Sequence, residues 1–252
     1  MNTYTVRHEG AELRYELRYE LRGEGPLLLL IAGRGGYRTR YASLARRLAG
    51  SYAVLTYDRR GPGTDFDMGQ QARDAAAVIR AVAPRAAVFG QGGGGSVAFE
   101  LAAQVPDVVT ELVVHEAPAI TLLPDAPTWL ARARQVRTTH ERDGLDAALA
   151  LAGLTRTDFP DTAAAELFLA GEFPAVVLHT PDLDAVRRTG IPVMTAAGET
   201  SGDTCLERSA RIQAEHLACR YARFPGGHQG FESDADTFAP ALCTTLARLR
   251  RL

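Results

Sequence analysis

Short apolar runs alternate with amphipathic helical segments along most of the chain, and this alternation limits the possible folds more than any other feature. The runs are continuously apolar and several end in glycine, a pattern typical of parallel strands buried on both faces. The sequence therefore predicts an α/β fold, with a mostly parallel twisted sheet and helices on both faces. The predicted strand segments are PLLLLIAGRGG, YAVLTYDRRGPG, AAVFG, VTELVVHEAP, IPVMTAAGE and CRYARFPGG.

Two parts of the chain depart from this alternation. Residues 3–21 alternate polar and apolar side chains and contain a tandem ELRY, which predicts an antiparallel hairpin. Residues 118–189 contain helical stretches with no convincing strand between them. We therefore expect one domain, with an α/β core over 1–117 and 190–252 and a helical cap over 118–189.

Composition excludes several function classes. Every basic residue is arginine, which removes Schiff-base chemistry, pyridoxal anchoring and the lysine of a phosphate-binding loop. The net charge of −2 is spread along the chain, so neither a nucleic acid nor a membrane is an expected partner. Histidines, acids and the three cysteines lack metal-ligand spacing, and no metal or other cofactor is expected.

The N-terminus, MNTYTVRHEG, is polar and resembles no signal peptide, so we expect a cytoplasmic protein. The sequence leaves the oligomeric state open, with a homodimer as one option.

The glycine run in FGQGGGGSVAF allows two interpretations. Gly90, Gly92 and Gly95 fit the dinucleotide-binding pattern G-x-G-x-x-G between a strand and a helix. That fingerprint normally follows the first strand of its sheet, whereas at least two parallel strands precede it here. The same residues fit the nucleophile elbow, strand, G-x-S-x-G, helix, with Gly92 in the serine position. The surrounding segments favour the elbow.

Those segments carry a resemblance to a known family. YDRRGPG resembles a D-x-R-G-x-G turn, ELVVHEAP a strand-six ending, and GIPVMTAAGE and FPGGHQGF the strand-seven and histidine segments of the α/β-hydrolase superfamily. Together with the elbow, they make the chain similar to that superfamily over essentially its whole length. It is most similar to the small capped bacterial esterases and epoxide-hydrolase-like members, and departs from them in having glycine where the nucleophile stands.

The resemblance implies a set of site residues. His228 corresponds to the catalytic base, and the backbone N–H groups of Arg34 and Gly93 correspond to the oxyanion donors. The acid that orients the histidine must lie between elbow and histidine in the chain. Glu116, at the end of the predicted sixth strand, is favoured, and Asp203 is the alternative acid.

Three other features are expected to have structural roles. Glu199 is expected to support a turn. His115 alternates to the other side of its strand and is expected to be a packed, hydrogen-bonded core residue. In the DRR turn, Asp58 to Arg60, we expect a buried ion pair rather than catalysis.

The function expected from this pattern is hydrolysis of a small, apolar, ester-like substrate. Gly92 cannot attack a carbonyl, so the chain is either a natural member without a nucleophile or a form of a GQSGGG parent that lost its serine by engineering or recent change. Two alternatives remain: a cofactor-independent lyase, cyclase or isomerase of secondary metabolism that uses His228 as acid–base, and a ligand-binding pseudohydrolase.

Overall fold

A computed structural model describes residues 2–10, 13–60 and 66–251, with side chains described from residue 20 onward. The predicted D-x-R-G-x-G turn is therefore described only as far as Arg60, and its glycines lie outside the described residues.

A single sheet of eight strands forms the centre of the described structure, in the order β1-β2-β4-β3-β5-β6-β7-β8. Strand β2 pairs antiparallel with both β1 and β4, and the other adjacent pairs are parallel. The mostly parallel sheet and the antiparallel hairpin are thus confirmed. The strands are β1 (Asn2–Gly10), β2 (Leu13–Arg22), β3 (Leu27–Ile31), β4 (Ala53–Tyr57), β5 (Ala86–Gln91), β6 (Val109–His115), β7 (Val193–Gly198) and β8 (Arg220–Phe224).

Helices cover both faces of this sheet. They are α1 (Ala42–Leu48), α2 (Met68–Arg80), α3 (Gly93–Gln104), α4 (Ala126–Asp143), α5 (Leu145–Leu151), α6 (Thr162–Leu167), α7 (Phe173–Leu178), α8 (Leu183–Arg188), α9 (Cys205–Leu217), α10 (Gly230–Ser233) and α11 (Ala235–Leu249). Helices α1 and α11 pack on one face with the alternate side chains of β3, such as Leu28 and Leu30. Helices α2, α3 and α8 pack on the other face with Leu29 and Ile31. Burial of β3 on both sides explains its unbroken apolar sequence.

The predicted cap region is helical, as expected from the sequence. Its apolar side chains form their own cluster, which includes Val136, Leu149, Phe159 and Phe168. A π-helical turn, Phe168–Glu172, joins α6 to α7 and makes one continuous helical rod. Helix α8 differs, because Leu183 and Val186 belong to the core cluster of the sheet. The division at 118–189 remains a prediction, and packing groups α8 with the core.

Candidate active site

The turn between β5 and α3 is sharp and depends on glycine. Gly92 has φ +55° and ψ −127°, a conformation that L-residues rarely adopt. A Cβ on Gly90 would lie 2.5 Å from the Gly94 carbonyl oxygen, and a Cβ on Gly94 would lie 2.1 Å from a carbonyl oxygen of β3. Strand and helix therefore approach each other more closely than larger residues would allow. This is the geometry of a nucleophile elbow.

His228 lies in the loop between β8 and α10 and pairs with Glu116 at the end of β6. Its Nδ1 is 2.8 Å from Oε2 of Glu116. The other carboxylate oxygen, Oε1, accepts a 2.8 Å hydrogen bond from the Gly198 backbone N–H at the end of β7. Three strand ends thus fix the pair, although the residues are 112 positions apart in the chain.

The environment of Glu116 keeps its carboxylate charged. Burial alone would raise the pKa of Glu116, but the hydrogen bond and charge of His228 outweigh burial and lower the pKa to about 2. A charged carboxylate accepts from Nδ1–H and leaves the Nε2 lone pair of His228 available. This is the tautomer that a general base needs.

Gln91 contacts that lone pair directly. Its side-chain Nε2 lies 2.7 Å from Nε2 of His228 and 3.2 Å from the His228 carbonyl oxygen. Since a carbonyl can only accept, the amide nitrogen of Gln91 must face the histidine and donate. The Gln91 amide therefore occupies the hydrogen-bonding position that a nucleophile's hydroxyl would take.

Position 92 faces the same ring. A Cβ built on Gly92 would lie 3.5 Å from both Nε2 and Cε1 of His228, at ordinary contact distance. A hydroxyl carried by that Cβ would be within reach of Nε2. The structure thus brings together Gly92, His228 and Glu116, and their catalytic roles remain predictions.

The two predicted oxyanion donors line the same cavity as His228. Gly93 is the first residue of α3, and Arg34 lies in the turn after β3. Within the described part of the chain, no hydrogen bond is made by the backbone N–H of either residue. Neither N–H group is used within the described structure, and their role as oxyanion donors remains a prediction.

The alternative acid does not reach the histidine. Asp203 is exposed in the turn before α9, and the Nδ1 of His228 is already bonded to Glu116. Asp203 is therefore wrong as the orienting acid in this structure. The backbone N–H of Glu199 donates to the Phe224 carbonyl at 2.8 Å and extends the pairing of β7 with β8, and the expected role of Glu199 in supporting a turn remains a prediction.

His115 is packed in the core, but the expected hydrogen bond is absent. Its ring is fully buried, stacks on Phe224 at 5.9 Å, and lies edge-on to Phe238 at 5.5 Å. Neither ring nitrogen has a hydrogen-bond partner among the described residues. Burial lowers the pKa of His115 to about 3, so the ring is neutral at neutral pH.

The structure also contains a buried carboxylate that the sequence did not reveal. Glu172 ends the π-helical turn of the cap and bonds Arg59 of the core at 2.5 Å, with both side chains at most 2% exposed.

The expected ion pair at the DRR turn exists, but its partners lie elsewhere in the chain. Asp58 binds Arg38, and Arg60 is paired with Asp74 of α2 at 2.9 Å. Pairs separated by up to 113 positions leave no local sequence signal.

A cavity of about 720 Å³ opens above the elbow and is roofed by the cap. Its floor holds Gln91, Gly92 and His228. Its walls are largely apolar side chains of the cap, including Trp129, Val136, Leu154, Phe168, Phe173 and Val176. This volume suits a small organic molecule.

Two other kinds of site are absent from the described ranges, a metal centre and a membrane-spanning helix. There, no three or more His, Cys, Asp or Glu side chains are grouped so that they could hold a metal ion. None of the helices described is long and apolar enough to cross a bilayer.

Known proteins give the same classification as the geometry. The hydrolase YraK of Bacillus subtilis is 26% identical over all of this chain and 98% of its own length. A thermophilic esterase from Thermogutta terrifontis has a TM-score of 0.78 at 17% identity, over 99% of this chain and 100% of its own. The enol-lactonase of Burkholderia xenovorans has a TM-score of 0.70 at 20% identity, over 92% and 96%. The two solved structures support the fold alone.

The family assignment comes from a family model. The model of the alpha/beta hydrolase family matches residues 28–241, which is most of the chain from β3 to α11. The chain therefore belongs to the alpha/beta hydrolase family, and it is a hydrolase of that family.

Proposed function

We propose that this chain carries the apparatus of a serine ester hydrolase whose nucleophile position, residue 92, holds glycine. One observation carries the proposal: the Cβ position of residue 92 lies 3.5 Å from Nε2 of a histidine that is paired through Nδ1 with a buried carboxylate. Nε2 of that histidine accepts from the Gln91 amide, so a hydroxyl at position 92, a water or a substrate must replace this donor before the histidine can act as a base.

The chemistry of the serine form follows from these positions. A hydroxyl at position 92 would give its proton to Nε2 of His228 while its oxygen attacks the ester carbonyl carbon. The negative charge that develops on the carbonyl oxygen would be bound by the N–H groups of Arg34 and Gly93. Collapse of this intermediate expels the alcohol, which takes the proton from Nε2, and water then releases the acid by the same steps.

As it stands, the chain has no atom at position 92 that could form an acyl-enzyme. Cavity, base and oxyanion donors remain, so it should still bind the ester. Serine hydrolases that lack one member of the catalytic unit keep roughly 10³–10⁴-fold acceleration over the uncatalysed rate, from binding and oxyanion contacts. We expect a residual rate of that order, with His228 activating a water molecule.

The proposed substrate is a small carboxylic ester or lactone with an apolar body. The apolar walls of the cavity and its volume of about 720 Å³ support this class. The esterase and the enol-lactonase named above act on bonds of this class, which agrees with the proposal.

The test is to put the hydroxyl back. Gly92→Ser is assayed with p-nitrophenyl acetate and longer p-nitrophenyl esters, with Gly92→Ala as the matched control. The alanine variant has the same Cβ and the same backbone strain but no nucleophile. We expect a stoichiometric burst of p-nitrophenol, and an acetylated protein by mass spectrometry, from the serine variant alone. No burst from a folded serine variant that binds the ester would refute the proposal.

Proton transfer without a nucleophile is the second candidate. It is favoured by the absence of a hydroxyl beside Nε2 of His228, which lines the cavity and whose lone pair accepts only from the Gln91 amide among the described residues. A lyase, cyclase or isomerase would use that lone pair to remove a proton next to a carbonyl and would stabilise the enolate at the oxyanion donors. Activity of the glycine form that disappears in His228→Ala, without any gain in Gly92→Ser, would favour this candidate. Binding without turnover by either form would leave a pseudohydrolase that only binds its ligand.

A further inference from the structure

Glu172 is the buried charge whose role the proposed hydrolysis does not explain. It belongs to the cap, yet both of its carboxylate oxygens bond to the core. Oε1 accepts from Nη2 of Arg59 at 2.5 Å, and Oε2 accepts from the backbone N–H of Gly35 at 3.1 Å. Gly35 is the residue after the predicted oxyanion donor Arg34. The carboxylate therefore contacts the turn on which that donor lies.

Arg59 holds the same turn from the other side. Its Nε donates to the Ala32 carbonyl at 2.8 Å, and its Nη2 donates to the Gly33 carbonyl at 2.7 Å. Its backbone N–H donates to the Gly36 carbonyl at 2.9 Å. One arginine, paired with one cap carboxylate, thus binds three carbonyl groups and one N–H group of this turn.

The backbone N–H groups of Gly35 and Gly36 are paired, whereas that of Arg34 is not. The N–H of Gly35 donates to Glu172, and the N–H of Gly36 donates to the Gly33 carbonyl at 2.8 Å. In the described structure the N–H of Arg34 has no acceptor. Buried backbone donors are nearly always paired, so one left unpaired at a cavity is available to a ligand.

The charge of Glu172 makes its pairing necessary. Its Oε1 would lie 3.4 Å from a Cβ on Gly93, so the carboxylate stands next to the predicted oxyanion site. An unpaired anion there would oppose the negative charge of the reacting carbonyl oxygen. The guanidinium of Arg59 offsets this charge, and the pair can hold the turn without repelling the intermediate.

We propose that Glu172 is a positioning residue, by which the cap, acting through Gly35 and Arg59, aims the Arg34 N–H at the oxyanion site. This inference rests on the proposed function for the identity of the bound oxyanion. The hydrogen-bonding role of Glu172 on the turn can be measured without any turnover.

The first measurement uses the glycine form of the protein. Hydrogen exchange of the Gly35 amide is followed by NMR in Glu172→Gln and in the control Glu166→Gln. Glu166 lies on the same helical rod and bonds His140 at 2.7 Å, away from the elbow. We expect at least about tenfold faster exchange of Gly35 in Glu172→Gln only, because the Gln side chain has one acceptor for two donors. Unchanged exchange in a folded Glu172→Gln protein would overturn the inference.

The second measurement uses the Gly92→Ser background. Loss of an oxyanion donor lowers kcat by roughly 10²–10³-fold in serine hydrolases, and a displaced donor should cost at least about tenfold. We expect Glu172→Gln to lower kcat with KM within about twofold, and Glu166→Gln to change neither. Equal kcat in both would overturn the inference. If Gly92→Ser itself shows no burst, the proposed function fails, and the exchange result still decides the role of Glu172.

A further variant covers the case in which Glu172→Gln does not fold. Glu172→Asp keeps the charge opposite Arg59 but shortens the side chain by one methylene group. We expect it to fold, to bind Arg59, and to leave the Gly35 N–H unpaired, with the same two effects. A folded Glu172→Asp protein with normal Gly35 exchange and normal kcat would also overturn the inference.

Discussion

The buried His115 should make the protein sensitive to acid well before its carboxylates titrate. Its ring has no hydrogen-bond partner among the described residues, and burial lowers the pKa of His115 from 6.5 to about 3. In the unfolded chain the imidazole takes up a proton near pH 6.5, whereas in the folded protein it does so only near pH 3. Between these values the unfolded state binds more protons, so the free energy of unfolding falls as the pH falls.

The size of the effect follows from the two pKa values. Between pH 6.5 and pH 3, each pH unit changes the free energy of unfolding by about 1.4 kcal/mol. A fall from pH 8 to pH 4.5 covers about two of these units, so the stability lost through His115 is about 3 kcal/mol. The pKa of Glu116 is lowered from 4.5 to about 2, so that carboxylate contributes only below pH 4.5. Between pH 6.5 and pH 4.5, the change in the free energy of unfolding therefore reports His115 and not Glu116.

His115→Leu provides the test, because leucine has a similar volume and the ring makes no hydrogen bond that would be lost. Urea unfolding is measured from pH 8 to pH 4.5 for the parent, for His115→Leu, and for His216→Leu, which removes an exposed histidine. We expect His115→Leu to be about 3 kcal/mol less sensitive to this pH change than the parent. Equal pH sensitivity of parent and His115→Leu would refute the interpretation of the buried ring as uncharged and unpaired.

Three further predictions concern the elbow and its support. Gly92→Ala and Gly92→Ser should each lower the free energy of unfolding by about 1–3 kcal/mol in urea titrations, because a side chain at φ +55° is strained. In the Gly92→Ser background, Glu116→Gln should lower kcat by about 10³–10⁴-fold in ester assays, since it disturbs the tautomer of His228. Gly94→Ala should fail to fold by circular dichroism, because its Cβ would lie 2.1 Å from a carbonyl oxygen, whereas Gly50→Ala, with nothing within 4 Å, should keep its Tm.

Much of the fold could be predicted because local patterns determine it. The unbroken apolar sequence of β3 reflects burial on both faces, and the predicted alternation of apolar runs with amphipathic segments corresponds to strands and helices such as β7 and α9. The boundary of the cap was harder to predict. Helix α8 has the same amphipathic sequence whether it packs on the cap or on the sheet, and only its position in space decides between them.

Some residues of the candidate site could likewise be predicted from the sequence, and others could not. His228 and Glu116 could be expected from their places at strand ends, where a parallel sheet brings such residues together. Asp203 was also acceptable in chain order, but it is exposed in the structure and Nδ1 of His228 is bonded to Glu116. Glu172 could not be found, because its partners are more than a hundred residues away and nothing in its neighbouring sequence marks it as buried.

The π-helical turn Phe168–Glu172 sets how the two halves of the helical rod are rotated relative to each other. The hydrogen bond of a π-turn spans one residue more than that of an α-turn. Removing one residue there, such as the exposed Ala170, would restore an α-helix and rotate one half of the rod against the other by about 100°. The carboxylate of Glu172 could then no longer face the core while the rest of the rod kept its packing. The link between cap and core thus depends on a single residue of chain length within the rod.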